Sequence, residues 1–155
     1  MDGSKASFVT VSCAQLSMLN SMQISQIMTK NPVSISMDNP ISEVKEIFEK
    51  TKFHHLLVVD DGILVGVLSD RDLLRSVSPL AGTAVANARD TATLNKRVRQ
   101  IMTRKLITLG PTASFYDAIA LFNQNTISCI PIVDHENRPL GIISWRDIMR
   151  AIKLK

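Results

Sequence analysis

Ser69, Arg71 and Asp72 stand together in Gly66-Val67-Leu68-Ser69-Asp70-Arg71-Asp72. Ser144, Arg146 and Asp147 stand the same way in Gly141-Ile142-Ile143-Ser144-Trp145-Arg146-Asp147. Each stretch reads as the end of a buried strand, a turn and the first turn of a helix. A Ser hydroxyl at that turn lies among free backbone N–H groups at the positive end of a helix dipole, a place that suits a phosphate. A carboxylate one turn further in can accept two hydrogen bonds, as from paired ribose hydroxyls. Arg brings a charge that can meet a phosphate. With apolar strand walls for a base, this is a nucleotide-shaped set. The same residues also satisfy the pattern of a capping box, [ST]-x-x-[DE], which would tie down a helix and nothing more. A cap and a ligand site are not exclusive.

The other reactive side chains offer less. His54 and His55 precede an apolar strand, and neighbours on a strand point to opposite faces, so they are poor joint metal ligands. One of them can face a cleft. His135 reads as a solvated turn residue. Cys13 and Cys129 are far apart, form no disulfide framework and belong to no Cys-x-x-Cys pair. A reducing, cytoplasmic setting follows, with Cys129 as a packed or lining thiol. No metal site is expected. There is no nucleophile elbow, P-loop or His–Glu metal spacing, so the sequence does not read as an enzyme.

The elements that position these groups recur. Ile27-Met28-Thr29 returns as Ile101-Met102-Thr103, 74 positions on. Phe48 returns as Phe122 and Val59-Asp60 as Val133-Asp134 at the same offset. One extra residue enters at His135-Glu136-Asn137, so Gly66, Ser69, Arg71 and Asp72 return 75 positions on. Each repeat reads as strand, helix, strand, strand, helix. In the first, Val33-Ser34-Ile35 suits a short strand, and Asn39 caps a helix with Pro40 as its first residue. That helix buries Ile41, Val44, Ile47 and Phe48. Leu56 to Val59 is a buried strand, Asp60-Asp61-Gly62 a hairpin turn, and Leu64 to Leu68 its return. In the second, Ile107-Thr108-Leu109 repeats the short strand and Ser114 with Asp117 makes a capping box. The final helix carries Trp145, Ile148, Met149 and Ile152 on one face.

Residues 22–80 and 98–155 are therefore two repeats. Residues 81–97 connect them, partly helical after Thr83, and residues 1–21 form an extension expected to be weakly ordered. Repeats this short bury too little core to stand alone. Face-to-face pairing with pseudo-two-fold symmetry solves that, and creates a cleft between equivalent surfaces with two related sites. No stretch is apolar enough for a membrane helix. The net charge of +4 suits an anionic partner such as a phosphate-bearing ligand. No run of like charge is long enough for a nucleic-acid tail.

On the paired Ile-Met-Thr openings, the strands Leu56 to Asp60 and Ile130 to Asp134, and the two Gly-h-h-Ser-x-x-Asp motifs (h apolar), residues 22–155 resemble a tandem pair of cystathionine-β-synthase (CBS) domains, a Bateman module. The resemblance implies an α+β fold of two β-α-β-β-α repeats packed with pseudo-two-fold symmetry. It implies no required cofactor, and regulatory binding of an adenosine-type ligand (AMP, ADP, ATP, S-adenosylmethionine or NAD) in the inter-repeat cleft. It assigns ribose to Asp72 and Asp147 and phosphate to Ser69 and Ser144. It adds the residues leading into the preceding strand: Phe53, His54 and His55 in one repeat, Ile127, Ser128 and Cys129 in the other. Asn39 and Ala113, at the first helices, would line the opposite repeat's site. The resemblance further implies a homodimer through helical faces such as Ile148, Met149 and Ile152, and a regulated partner protein. A ligand-free dimerisation or interaction module, or a nucleic-acid binder using the net charge, are the competing readings.

Overall fold

The computed structural model describes residues 12–152. In the first repeat, β2 (Ser34–Ser36), α2 (Ile41–Lys50), β3 (His55–Asp60), β4 (Ile63–Ser69) and α3 (Asp70–Ser76) follow in the expected order. In the second, α5 (Phe115–Gln124), β5 (Cys129–Val133), β6 (Pro139–Ser144) and α6 (Trp145–Ala151) repeat it. Before these come α1 (Cys13–Ser21) and β1 (Thr29–Lys30), and between them α4 (Ala88–Leu94). One sheet runs β2-β3-β4 and the other β1-β6-β5.

Apolar patterning sets each layer. Leu56 and Val58 point from β3 toward the helices, into a core with Ile41, Val44, Leu68 and Leu73. Leu57 points the other way and meets Leu64, Val67, Val133 and Ile142 where the two sheets face each other. In the second repeat Phe115, Ala118, Phe122, Ile130, Ile132, Ile143 and Ile148 form the helix-side core. The β3–β4 hairpin turns at Asp61 and Gly62, both at positive φ (48° and 79°). That is the backbone a two-residue primed turn requires.

The repeats trade their lead-in segments. Ile24, fully buried, lies in the second repeat's core, and its N–H donates to Ala113 C=O at 2.9 Å. Strand β1 then joins the second sheet, pairing Thr29 with Ile142 and Lys30 with Gly141. Val98, fully buried, lies in the first repeat's core, and its N–H donates to Asn39 C=O at 3.0 Å. Thr103 exchanges two backbone bonds with Val67 of β4 (2.9 and 3.1 Å). Full burial of one such side chain contributes about 1.5–3 kcal/mol.

Three local expectations are corrected. Pro40, not Asn39, occupies the cap position of α2, at φ −70° and ψ 150°. Asn39 is drawn away: its side chain accepts from Ser36 N–H and donates to Glu43. The exposed end of α2 is met instead by Lys96 C=O, which accepts from Ile41 N–H at 2.8 Å.

Ile107 to Leu109 form no strand, only a single bridge from Leu109 to Ile132. The cause is Pro131. In the first repeat Leu57 N–H donates to Val33 C=O. Pro131 stands at the equivalent position without an N–H, so the ladder stops short of Ile107.

Within the N-terminal extension, residues 13–21 form helix α1. Leu19 is buried in the second repeat's core, with Phe115 and Phe122 among its cluster, and this apolar anchor is what orders the helix. Residues 1–11 lie outside the described residues. In the connecting segment, α4 begins at Asn87, whose side chain accepts from Asp90 N–H in a capping box. The segment is tied back by Ser78, which donates from its hydroxyl to Asp90 at 2.6 Å, and by Lys96, which donates to Ser76 C=O.

The dimer face expected on α6 divides. Ile148 is buried and Ile152 packs against the same core, while Met149 is 58% exposed.

Candidate functional site

Ser69 and Ser144 each sit where a buried strand ends and a helix begins. β3 pairs His55 with Ser69, and β5 pairs Cys129 with Ser144. The register therefore brings the residues before β3 and β5 beside the motif corners. Both corners open onto one cavity of about 560 Å³ between the repeats, lined by Ser69, Arg71, Ser144, Arg146 and Asp147. A space of this size suits one drug-sized ligand. Phe53, His54, His55 and Ser128 also line it.

Five expected residues lie off its wall. Asp72 is turned inward to its own helix: its carboxylate accepts from Ser69 N–H at 3.0 Å and from Ser69 Oγ at 2.6 Å, while Ser69 Oγ accepts from Asp72 N–H. Cys129 is buried as the first residue of β5. Burial, with the negative charge of Asp72, pushes its thiol up to about 12. Ile127 packs against the second repeat's core. Ala113 gives its C=O to Ile24 N–H, and Asn39 gives its C=O to Val98 N–H, so both serve the exchanged lead-ins.

The corresponding carboxylate of the second repeat makes the same two bonds and differs in also lining the cavity. Asp147 accepts from Ser144 N–H and Ser144 Oγ, both at 2.8 Å. It also reaches the cavity, and its other oxygen lies 3.7 Å from Arg150.

Both histidines line the cavity, since His54 precedes β3 and is not bound by strand alternation, but they take different partners. His54 Nδ1 lies 2.8 Å from Asp70 Oδ2. His55 Nε2 lies 2.7 Å from Ser128 Oγ, joining the repeats across the cleft. Burial holds the His55 imidazole below the ordinary histidine range, partly opposed by the negative charge of Asp70. Among the described residues no group of three or more His, Cys, Asp and Glu could hold a metal ion.

Lys52, Asp70, Trp145 and Arg150 line the cavity as well, and sequence reasoning did not place them there. Asp70 and Trp145 occupy the variable position after the motif Ser, where only the repeat offset could have marked them. Four permanent cations thus face two carboxylates across the wall: Lys52, Arg71, Arg146 and Arg150 against Asp70 and Asp147. Asp70 is engaged by His54 and Asp147 by Arg150. Among the described residues, Lys52, Arg71 and Arg146 pair with no carboxylate. The cavity can therefore accept several negative charges.

The model of the CBS domain family matches residues 24–79 and 98–154. The chain belongs to the CBS domain family and carries two copies as a tandem pair. It is 30% identical over 156 residues to the uncharacterized protein MJ1426 of Methanocaldococcus jannaschii, covering 84% of this chain and 91% of that one. It is 29% identical over 133 residues to the uncharacterized protein MJ0188 of the same organism, covering 84% of this chain. The match spans only 44% of that relative's length.

Among solved structures, it is similar to the CBS domain pair of protein MJ0100 in complex with 5′-methylthioadenosine and S-adenosyl-L-methionine. The TM-score is 0.67 at 27% identity, over 83% of this chain and 94% of that one. It is also similar to CBSX2 in complex with AMP, with a TM-score of 0.69 at 25% identity, over 83% and 94% of the two chains. No helix among the described residues is long and apolar enough to cross a membrane.

Proposed function

We propose that this chain is a non-catalytic regulatory module that binds an adenine nucleotide between its repeats and passes the resulting change of shape to a partner protein. The observation that carries this reading is the single cavity on which Ser69 with Arg71 and Ser144 with Arg146 converge, together with the uncompensated Lys52. The CBS pairs that hold AMP or S-adenosylmethionine support the adenosine part. The excess of cations favours a phosphate-rich ligand, AMP, ADP or ATP, over S-adenosylmethionine with its positive sulfonium. Arg71, Arg146 and Lys52 are assigned to phosphate. Asp147, on the cavity wall, is assigned to ribose. Asp72 is assigned to its helix. Signalling needs the two shapes to differ in ligand affinity, and the exchanged lead-ins supply the link, since movement of one repeat carries a piece of the other. A homodimer through the outer helices, where Leu74 of α3 and Met149 of α6 stand exposed at equivalent positions, is part of the same reading.

A calorimetric and thermal-shift panel with AMP, ADP, ATP, NAD and S-adenosylmethionine tests it. Saturable binding and a raised Tm with the phosphorylated members are expected. Silence across the panel from a stable dimer would instead favour an interaction module, the reading supported by the way Ser69 and Asp72 saturate each other.

A further inference from the structure

The cavity is not symmetric in chemistry. At the position after the motif Ser, the first repeat carries Asp70, which pairs with His54 at 2.8 Å. The second carries Trp145, the only tryptophan of the chain. Its indole lies 4.7 Å from the ring of Phe122 at a tilt of 31°. Phe122 belongs to the second repeat's core, and only 4% of it is exposed. The phenyl therefore backs the indole and fixes it, while 40% of Trp145 stays exposed and forms part of the cavity wall. A large aromatic left this open costs apolar hydration, and its backing leaves few rotamers to lose on binding. Arg146 follows it directly and lines the same cavity.

We propose that Trp145 is the base platform of the cleft: the planar ring of the ligand stacks on the indole, and its anionic tail meets Arg146 and the other unpaired cations. The ligand class is a flat heteroaromatic ring joined to a phosphate chain. This deepens the nucleotide reading and rests on it. At the equivalent position the first repeat carries Asp70 and no ring; its own exposed aromatic on the cavity, Phe53, lies ahead of β3. The pseudo-symmetric pair thus gains a direction, with the ring held by the second repeat. An aromatic platform contributes about 1–3 kcal/mol per stacked base, or roughly 5- to 150-fold in affinity.

The test compares AMP and ATP with inorganic tripolyphosphate, which has charge but no ring, on the full chain by calorimetry. Trp145→Leu should weaken AMP and ATP about 5- to 150-fold and leave tripolyphosphate binding within about twofold. Trp145→Phe, which keeps a smaller ring, should restore most of the loss. In the parent protein, AMP and ATP should quench the emission of Trp145, whereas bound tripolyphosphate should not. Three results overturn the proposal while leaving nucleotide binding intact. One is undiminished AMP binding by Trp145→Leu. Another is equal loss of tripolyphosphate and AMP by a Trp145→Leu protein that keeps the parent's Tm, which would mark a role unconnected with the ring. The last is saturation by AMP with unchanged Trp145 emission, a measurement that needs no variant to fold. A parent protein that binds neither nucleotide overturns both the platform and the reading beneath it.

Discussion

Gly66 lies directly against Met102. A β-carbon built on Gly66 would stand 2.7 Å from Met102 Sδ and 3.3 Å from the Thr103 carbonyl oxygen. Gly141 meets Met28 in the same way, with the Thr29 carbonyl oxygen 3.0 Å from such a carbon. The glycines that open both motifs are therefore there to admit the other repeat's lead-in.

Gly66→Ala and Gly141→Ala should each destabilise the fold by about 1–3 kcal/mol, the usual cost of forcing extra volume into a packed contact. Gly141→Ala should cost more, because both its methionine and its backbone carbonyl neighbour stand closer than those of Gly66. Urea denaturation measures both. Midpoints equal to that of the parent would show that the methionines move aside freely.

Ser69→Ala and Asp72→Ala should each lower stability by about 1 kcal/mol, as for a lost helix cap. Asp72→Ala should leave AMP affinity within about twofold, whereas Ser69→Ala removes a hydroxyl from the cavity wall and should weaken AMP. Asp147→Ala should lose a cap as well, and should also weaken AMP. Calorimetry beside denaturation separates the two effects. If Asp72→Ala weakens AMP as much as Asp147→Ala, ribose belongs to Asp72 after all.

Acid should act on stability through His55 before it acts through the carboxylates. Burial lowers the His55 pKa in the folded chain. The unfolded chain, with an ordinary histidine near 6.5, then binds the proton more readily. The stability associated with a neutral His55 is whole above about pH 6.5 and is lost as the pH falls below it. Asp90, Asp117 and Asp134 are held below the usual carboxylate range by hydrogen bonds. Their stability is present above about pH 4 and is lost only on further acidification. Urea midpoints from pH 7.5 to 5 should therefore fall in the parent and fall less in His55→Gln. Identical slopes would remove His55 from the account.

Alkylation should discriminate between the two thiols. The thiolate is the reactive species, and burial of Cys129 pushes its pKa up to about 12. Cys13 is exposed. Iodoacetamide at pH 8 should add one group, at Cys13, to the native protein and two after unfolding. Mass spectrometry of the peptides reads the positions. Rapid native labelling of Cys129 would mean that β5 opens easily.

Much of this arrangement was legible in the residues, because it depended on local pattern. The apolar runs, the Asp61-Gly62 turn and the two Ser-x-x-Asp corners each specify their own conformation, and the 74-residue offset ties them into a pair. What escaped depended on distant chain. Nothing near Asn39 signals that Lys96 will meet the end of α2. Pro131 was visible as a proline in a strand, but the donor it withholds matters only once Ile107 is known to lie beside it. Asp72 and Asp147 each take a hydroxyl and an amide bond from the motif Ser, so the local pattern does not distinguish the carboxylate that reaches the cavity wall from the one that does not. The sequence places Trp145 on the packing face of its helix. Its contact with Phe122 does pack it, and that same contact presents the rest of the ring to the cavity.

The exchange of Ile24 and Val98 also determines how the molecule comes apart. Each half owns a hydrophobic interior that lacks a piece until the other half delivers it. Neither can melt first and leave its neighbour whole, so loss of one half's order empties a place in the other. Two sequence repeats thus behave as one cooperative folding unit, and the linker is not what keeps them together. A chain severed between Pro79 and Asn87 would yield two fragments, each disordered on its own, that recover the fold when mixed.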